Sequence, residues 1–450
     1  MPLVITALGV ALLLVLIMKL RVHPFISLAI TSFVLAVALG VPPGEIVDAV
    51  QDGFGDTLAT AGLIFGFGAI LGRLLGDAGG SQRIAVTLID RFGKAYTQWA
   101  VVAAALILGV ALFFEVGIVL LVPIVYQMAK QTGLNFLWLG LPMVTGLSVM
   151  HAFLPPTPGP TVVTLEFGAS ITSVILYGAL IAVPTTIIAG PLFVRVARRY
   201  APSAFEPKKI GAIAKIGDSD TMDIEETPGF GISVFTALFP VILLMGSGAV
   251  TLLEPIAGLE DNVVIGTISM IGQPTSVMMI SVLVAIYTMG IARKRAMGQI
   301  MESAETAAKA IGMLVLILGI SGSLKEVLLQ GGVGDYVADL MEGAPVSPLI
   351  LAWLVAALIR LAQGSATVAA LTAVGIVLPL TEGGDVNTAL VVLATGAGSI
   401  IASHVNDTGF WIVKESFGLS VKETLATWTV LETVISVVGL GFVLLLSLIV

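Results

Sequence analysis

The chain has 450 residues, of which 57% are hydrophobic and 11% charged, with a mean hydropathy of +1.07. Soluble domains carry roughly 25% charged residues, so this composition excludes a water-soluble globular protein and fits a chain built for lipid. The absence of cysteine excludes disulfides, thiolate metal sites and cysteine nucleophiles; the net charge of −8 comes without a long basic or low-complexity tail, so nothing points to nucleic acid.

At about 20 residues per spanning helix, the length accommodates roughly a dozen. Apolar runs fall near 2–20, 24–41, 58–76, 97–114, 138–154, 171–196, 231–253, 274–292, 307–330, 347–362, 387–403 and 425–450. Residues 2–20 resemble a signal-peptide core but lack a basic start and a small-residue cleavage site, so they read as a retained first helix. Asp52 and Asp56 belong to an amphipathic, interfacial-looking stretch, and Trp99, Trp138 and Trp428 read as interfacial anchors near span ends. Short runs at 116–129 and 365–380 are too brief to span and read as re-entrant. Fifty glycines suit closely packed membrane helices. Residues 200–230, with Pro202, Pro207, Lys208, Lys209, Asp218, Asp220, Asp223, Glu225 and Glu226, form a polar link. It divides the chain into a first membrane repeat (1–199), a cytoplasmic linker (200–230) and a second membrane repeat (231–450).

The halves echo each other. Gly66 to Asp90 and Gly319 to Leu340 are each a glycine-rich apolar helix, a charge, a Gly-Gly pair and an amphipathic exit. After each come a span, a short hairpin-like run, and a span broken by polar residues. Such pairing is the sequence signature of a repeat-built transporter. The expected fold is therefore an all-α polytopic membrane protein of about 12 transmembrane helices, in two inverted repeats, each with a re-entrant hairpin and a broken helix. The basic clusters at Lys19 and Arg21, Arg73–Lys94, Arg195–Lys215 and Arg293–Arg295 should face the cytoplasm. The acidic segment Gly331–Glu342 should lie outside. Three full spans between Lys94 and Arg195 would put those two clusters on opposite sides, so one element in that region must be something other than a span.

Four polar constellations interrupt the apolar runs. The stretch Met150 to Thr161 holds Pro155, Pro156, Pro158, Gly159 and Pro160. Proline lacks an N–H and clashes with the carbonyl four residues back, so no helix continues through it. A backbone opened inside a membrane is tolerated where it is buried in protein or lines a wet cavity. His151 at this break is a proton-coupling candidate; a structural hydrogen bond fixing the break is the plainer alternative. Glu115 sits between two apolar runs, and burial disfavours the charged form of a carboxyl group, which suits a proton carrier. A Glu at a helix end facing the aqueous interface is its plainer reading. The third constellation, Arg360, Gln363, Ser365 and Thr367, lies at a hairpin tip, where backbone N–H groups and a bidentate arginine can hold a carboxylate; alternatively Arg360 is the basic end of a span. The fourth places Ser403, His404, Asn406, Asp407 and Thr408 within six residues. Ser403, Asn406 and Thr408 suit the hydroxyls of a polyol chain, and His404 and Asp407 are proton or counter-charge candidates. No Walker-type phosphate loop or zinc spacing is present, so neither ATP-driven transport nor any cofactor or metal is expected.

Residues 113–125 (FFEVGIVLLVPIV), 140–161 (GLPMVTGLSVMHAFLPPTPGPT), 360–375 (RLAQGSATVAALTAVG) and 403–411 (SHVNDTGFW) together resemble the gluconate permease family of proton symporters. Residues 19–33 and 72–93 are similar to it as well, so the resemblance covers essentially the whole chain. Members often carry a second histidine where this chain has Thr157 and a glycine where it has Ala152. The resemblance implies a bacterial inner-membrane carrier, not an enzyme, that imports gluconate or a related sugar acid with protons. It also implies the two-repeat architecture of the wider ion-transporter group. Relatives carry other small hydroxylated acids, D-serine included, so D-serine or glycerate symport is the alternative, as is sodium coupling.

Combining both readings, the substrate carboxylate is expected at helix N-termini with Ser365 and Thr367, and its hydroxyls at Asn406, Ser403 and Thr161. Glu115 or Asp407, with His151, is expected to move the proton. Partners are then a sugar-acid anion, protons and the lipid bilayer, with a homodimer compatible with the sequence but not specified by it. A membrane-embedded hydrolase using His and Asp is the reading from another class; no nucleophile–base motif supports it. A passive channel is the third, separable by gradient-driven accumulation.

Overall fold

A computed structural model of the chain describes residues 2–93, 96–206, 222–257, 263–333, 347–381, 386–405 and 407–450, and every regular element among them is helical. The first half contains α1 (Pro2–Leu14), continued by a π-helical turn to Lys19, then α2 (Pro24–Leu39), α3 (Ile46–Asp77), α4 (Gly80–Phe92), α5 (Thr97–Ala111), α6 (Phe114–Thr132), α7 (Phe136–Phe153), α8 (Pro158–Glu166), α9 (Ile171–Ile187) and α10 (Phe193–Tyr200). The second contains α11 (Phe230–Ala257), α12 (Val263–Ile271), α13 (Pro274–Ala285), α14 (Met297–Gln330), α15 (Pro348–Gln363), α16 (Ala366–Val377), α17 (Thr388–Ser399), α18 (Thr408–Phe417), α19 (Val421–Thr424) and α20 (Val430–Leu446). Among the described residues, 8 helical stretches are long and apolar enough to cross a membrane, several of them running through two consecutive elements. Each of the apolar runs seen in the sequence has a helical counterpart. The polar link falls largely at 207–221, and the Gly-Gly exit and acidic segment of the second half largely at 334–346, outside the described residues.

Two expectations change. The amphipathic stretch around Asp52 and Asp56 is continuous with the apolar run 58–76, the two forming α3, a helix of 32 residues that starts well before that run. At 1.5 Å per residue α3 is about 48 Å long, against a hydrocarbon core of about 30 Å, so polar turns project beyond it. The run at 116–129 is likewise longer than expected: α6 has 19 residues.

The parity conflict between Lys94 and Arg195 resolves in the α5–α6 region. The chain reverses at Leu112–Phe113, and α5 and α6 pack on each other. Three contacts place their far ends together. Gln98 Nε2 donates to Trp138 O at 2.9 Å, Asn135 Nδ2 donates to Phe205 O at 2.7 Å, and the Arg198 guanidinium lies 5.9 Å from the Trp138 ring centroid. The start of α5, the start of α7 and the end of α10 therefore share one side. The α5–α6 pair is a hairpin that enters and returns, so the clusters flanking it stay on one face. The α15–α16 pair turns in the same way at Gly364–Ser365, where Gly364 takes the left-handed φ of +73° that such a reversal requires.

The proline-rich break is built as the sequence dictates. The α7 helix stops at Phe153, and α8 begins with Pro158 at its first position, where a missing N–H costs nothing. The carbonyls Met150 O and Leu154 O at the end of α7 accept from Leu154 N and Thr157 N, each at 3.1 Å, and Thr157 Oγ1 is a further donor at 3.3 Å and 2.5 Å respectively. In the second half α17 ends at Ser399 and α18 starts at Thr408, with Asp407 as N-cap accepting from Gly409 N at 2.9 Å. The two broken regions meet: α16 packs on α8, and α17 packs on α7 and α8.

On another face, Arg83 and Arg293 from opposite halves grip residues 224–228. Arg83 Nε donates to Thr227 Oγ1 and Pro228 O, each at 2.9 Å, and Arg293 Nη2 donates to Glu226 O at 2.6 Å. The long helices α3 and α14 run along each other, joining the halves. Their axes approach closely at Gly53 and Gly322, where a Cβ on Gly322 would lie 2.2 Å from Gly53 O. Gly322→Val should therefore force the pair apart at a cost of about 1–3 kcal/mol, lowering the thermal midpoint of the detergent-purified protein. Gly55→Ala, with nothing near its Cβ, should not.

Candidate functional site

A cavity of about 100 Å³ lies where both hairpin tips and both breaks converge. By the measure that a water needs roughly 10–15 Å³ of such space, it has room for more than a single water. Among the described residues, three helix N-termini open onto it: α6 through Phe114 and Glu115, α16 through Ser365, Ala366 and Thr367, and α18 through Thr408 and Gly409. Each carries unsatisfied N–H groups and a partial positive charge, the ordinary elements of an anion site.

Arg360, in the last turn of α15, is 4% exposed and lines the cavity. Its Nη2 donates to Asp407 Oδ2, while its Nε and Nη1 are buried without a partner. Asp407 is fully engaged: besides Arg360 it accepts from Ser403 Oγ and from the backbone of Gly409. Ser403 in turn accepts from Trp428 Nε1 at 2.7 Å, and its carbonyl accepts from Thr429 Oγ1 at 2.5 Å. Trp428 stacks on Phe114 at the first hairpin tip, centroids 5.4 Å apart. One connected network thus ties α15, the second break, the start of α20 and the tip of the first hairpin around a single ion pair.

The residues singled out from the sequence divide clearly. Glu115, His151, Arg360, Ser365, Thr367, Asp407 and Thr408 all line the cavity. Glu115 is in the first turn of α6 and is exposed there. Ser365 caps α16, accepting from Val368 N at 3.4 Å. His151 Nε2 lies 3.4 Å from Thr367 Oγ1, with its Nδ1 unpartnered. His151 and Thr367 also line a second cavity of about 10 Å³ with Gly159, Pro160 and Ser399. Thr161 is outside the cavity, its Oγ1 donating to Thr157 O at 2.7 Å. Ser403 stands behind Asp407, with its hydroxyl already both donating and accepting. His404 turns away, its Nε2 3.0 Å from Leu361 O. Pro155 to Pro158 form the break itself, with Pro156 and Pro158 lining a separate small pocket against α3 and Met278. Asn406 and the side chain of Gln363 lie outside the described residues.

Trp428 corrects its interfacial reading: it is 1% exposed and belongs to the site's network. Three cavity residues with polar side-chain atoms, Glu432, Ser148 and Trp428, are absent from the sequence-based candidates. Glu432, 2% exposed, lies in the first turn of α20, with a hydrogen bond to Ser148 of α7. A lone carboxyl inside the apolar run 425–450 was a signal by itself, since intramembrane charges are rare and functional. Ser148 and Trp428 carried no comparable mark. Away from the cavity, Lys325 Nζ of α14 pairs with Glu166 Oε2 of α8 at 2.5 Å. Among the described residues no group of three or more His, Asp or Glu side chains is placed to hold a metal ion.

The chain matches the model of the GntP family permeases over residues 1–449. It is 56% identical over 448 residues, covering all of both chains, to a protein named gluconate permease from Bacillus licheniformis. It is also 56% identical over 450 residues to the gluconate permease of Bacillus subtilis strain 168, again over the full length of both. In three dimensions it is similar to the YdaH transporter of Alcanivorax borkumensis, with a TM-score of 0.62 at 15% identity, over 95% of this chain and 98% of that one.

Asp407→Asn keeps the capping oxygen but leaves Arg360 buried and uncompensated. Breaking such a pair costs about 3–5 kcal/mol. We expect a clearly lower thermal midpoint in detergent together with lost transport. Unchanged stability with lost transport would instead assign Asp407 a direct part in proton movement.

Proposed function

Because this chain belongs to the GntP family of permeases, we propose that it imports gluconate or a closely related sugar acid by proton symport. It is a multi-pass protein of the bacterial inner membrane and a carrier rather than an enzyme. The observation that carries the substrate reading is Arg360: two buried guanidinium N–H positions without partners, in a cavity faced by three helix N-termini. A buried donor left unmade costs about 1–3 kcal/mol, so these positions await acceptors, and the oxygens of an anion supply them at a charged donor.

In the proposed mechanism the substrate carboxylate docks on Arg360 and the N-terminus of α16, with Ser365 and Thr367 beside it. Thr408 at the start of α18 meets the substrate's hydroxyls, together with Asn406 and Gln363, which the same reading assigns to this end of the site. Asp407 holds the arginine fork in position, and Ser403 holds Asp407. Glu115 and His151 are the proton-coupling candidates that face the cavity. Moving one anion into a cell at 100 mV negative inside costs roughly 2.3 kcal/mol; one co-transported proton cancels that term and a second makes entry favourable.

The same order of hairpin, broken helix and closing span occurs in both halves, which supports two repeats of opposite orientation joined by the 200–230 linker. Alternating access then consists of one hairpin-and-break unit rocking against the other across the cavity. A homodimer remains part of the proposal, to be read from the mass of the purified carrier in detergent.

The test is uptake of labelled gluconate into proteoliposomes under an imposed pH gradient and then a sodium gradient, with D-serine, glycerate and other sugar acids as competitors. Accumulation driven by the pH gradient and blocked best by gluconate is expected. Accumulation that follows sodium refutes the proton, and indifference to gluconate refutes the substrate. Arg360→Lys keeps the charge and loses the fork. It should raise the KM for gluconate about 10- to 100-fold, the equivalent of one lost charge-assisted hydrogen bond pair.

A further inference from the structure

We propose that Glu432 carries the co-transported proton. This rests on the proton-symport reading above and assigns the coupling to a residue that nothing in the family comparison singles out. The cavity contains one guanidinium, Arg360, and three carboxyl groups, Asp407, Glu115 and Glu432. These differ sharply in circumstance. Asp407 accepts from three donors and neutralises Arg360, so placing a proton on it dismantles the site. Glu115 lies in the first turn of α6, where a free helix N-terminus favours the charged form, a compensation that Glu432, inside the continuous helical stretch Val421–Leu446, lacks. Glu432 is buried, and its Oε1 has no partner; its recorded bond is to the Ser148 hydroxyl.

The groups around Glu432 make its charge conditional on the cargo. From α7 it is faced by His151, from α15 by Arg360, and across the cavity by Asp407 and Glu115. The other helices packed on α20, α9 and α17, carry no charged residue, and Tyr177 of α9 is their one titratable side chain. The single cation in the cavity is already matched by Asp407. An incoming carboxylate on Arg360 therefore adds a negative charge to a buried volume where Glu432 has no counter-ion. Uncompensated buried charge is costly, so anion and proton bind together, and by linkage each favours the other equally. On loading, a proton from the outer aqueous phase adds to Glu432 Oε1; on release it leaves from the same oxygen to the cytoplasm, and no bond of the substrate changes.

Glu432 also sits at a mechanically suitable place. It follows the π-helical turn Leu425–Thr429 that carries Trp428 and Thr429 into the Ser403–Asp407 network. On its other side, Ser148 is on α7, five residues before that helix breaks. Its carboxyl thus bridges a broken helix of the first half and the network holding Arg360 in the second, so that a rearrangement of either changes what surrounds it.

The test uses the full-length carrier in proteoliposomes. Two readouts are compared: gluconate–gluconate exchange at equal pH on both sides, and accumulation under an inward pH gradient. Glu432→Gln imitates the protonated state permanently. It is expected to keep exchange within about threefold of wild type while losing gradient-driven accumulation. In the wild type the apparent affinity for gluconate should fall by up to about tenfold per pH unit where loading requires one proton, and that slope should vanish in Glu432→Gln. Retained proton-driven accumulation in Glu432→Gln overturns this assignment and leaves the symport reading standing, and so does loss of exchange together with accumulation. A wild-type carrier driven by sodium and not by pH brings down both. If Glu432→Gln does not insert, Glu432→Asp decides: a shifted pH profile of accumulation supports the assignment, and an unmoved one overturns it.

Discussion

The Arg360–Asp407 pair is the interaction on which the rest of the structure depends. A lone guanidinium inside a membrane protein is costly, and the protein keeps it only by holding a carboxylate against it. Holding that carboxylate requires Ser403 and the N-terminus of α18, which exists only because α17 stops at Ser399. Holding Ser403 requires Trp428 and Thr429, and Trp428 is pressed into place by Phe114. The chain of dependence starts from one charge and reaches both hairpins and the last helix.

The broken helices and the hairpin turns supply what a continuous helix cannot: backbone N–H groups in the interior of the helix bundle without additional charge. Their ends are normally a liability in hydrocarbon. Here each is closed by its own sequence. Pro158 removes an N–H that would have had no partner, Thr157 takes up carbonyls at the end of α7, Ser365 caps α16 and Asp407 caps α18. The N–H groups left over face the cavity. The long α3–α14 pair frames this irregular centre with regular helix, and the Glu166–Lys325 bridge fastens α8 to that frame.

Much of this was legible in the sequence because it is written in strong signals. Apolar runs of spanning length mark the helices, four prolines within six residues mark the first break, and the density of polar residues at 403–408 marks the second. What escaped has physical reasons. Apolarity alone does not show where a run turns back, so the return of α6 to the side where α5 begins emerges only from the contacts that bring Gln98, Asn135 and Phe205 together. The amphipathic start of α3 reads like an interfacial segment because a helix that overshoots the bilayer has the same polarity there. Trp428 carries the composition of an anchor and the environment of a core residue, a difference that rests on a partner 25 residues away in sequence. Thr161 illustrates the reverse: a polar residue in a signature stretch whose hydroxyl is used up within its own helix turn.

A carrier must also let its substrate go, and the composition of this site bears on that. An arginine with no counter-ion would bind an anion tightly and would be destabilising whenever the site was empty. Pairing it with Asp407 keeps the empty site neutral at that point and leaves only the remaining N–H positions and the helix termini to attract the substrate. The helix termini are partial charges, each worth about 0.3–1 kcal/mol in ordinary settings. Under the proposed symport, the strong, all-or-none electrostatic element is then the proton itself. Its addition and loss would compensate the substrate's charge, making binding firm when both are present and weak when either is missing, which is the condition for coupled movement in place of leak.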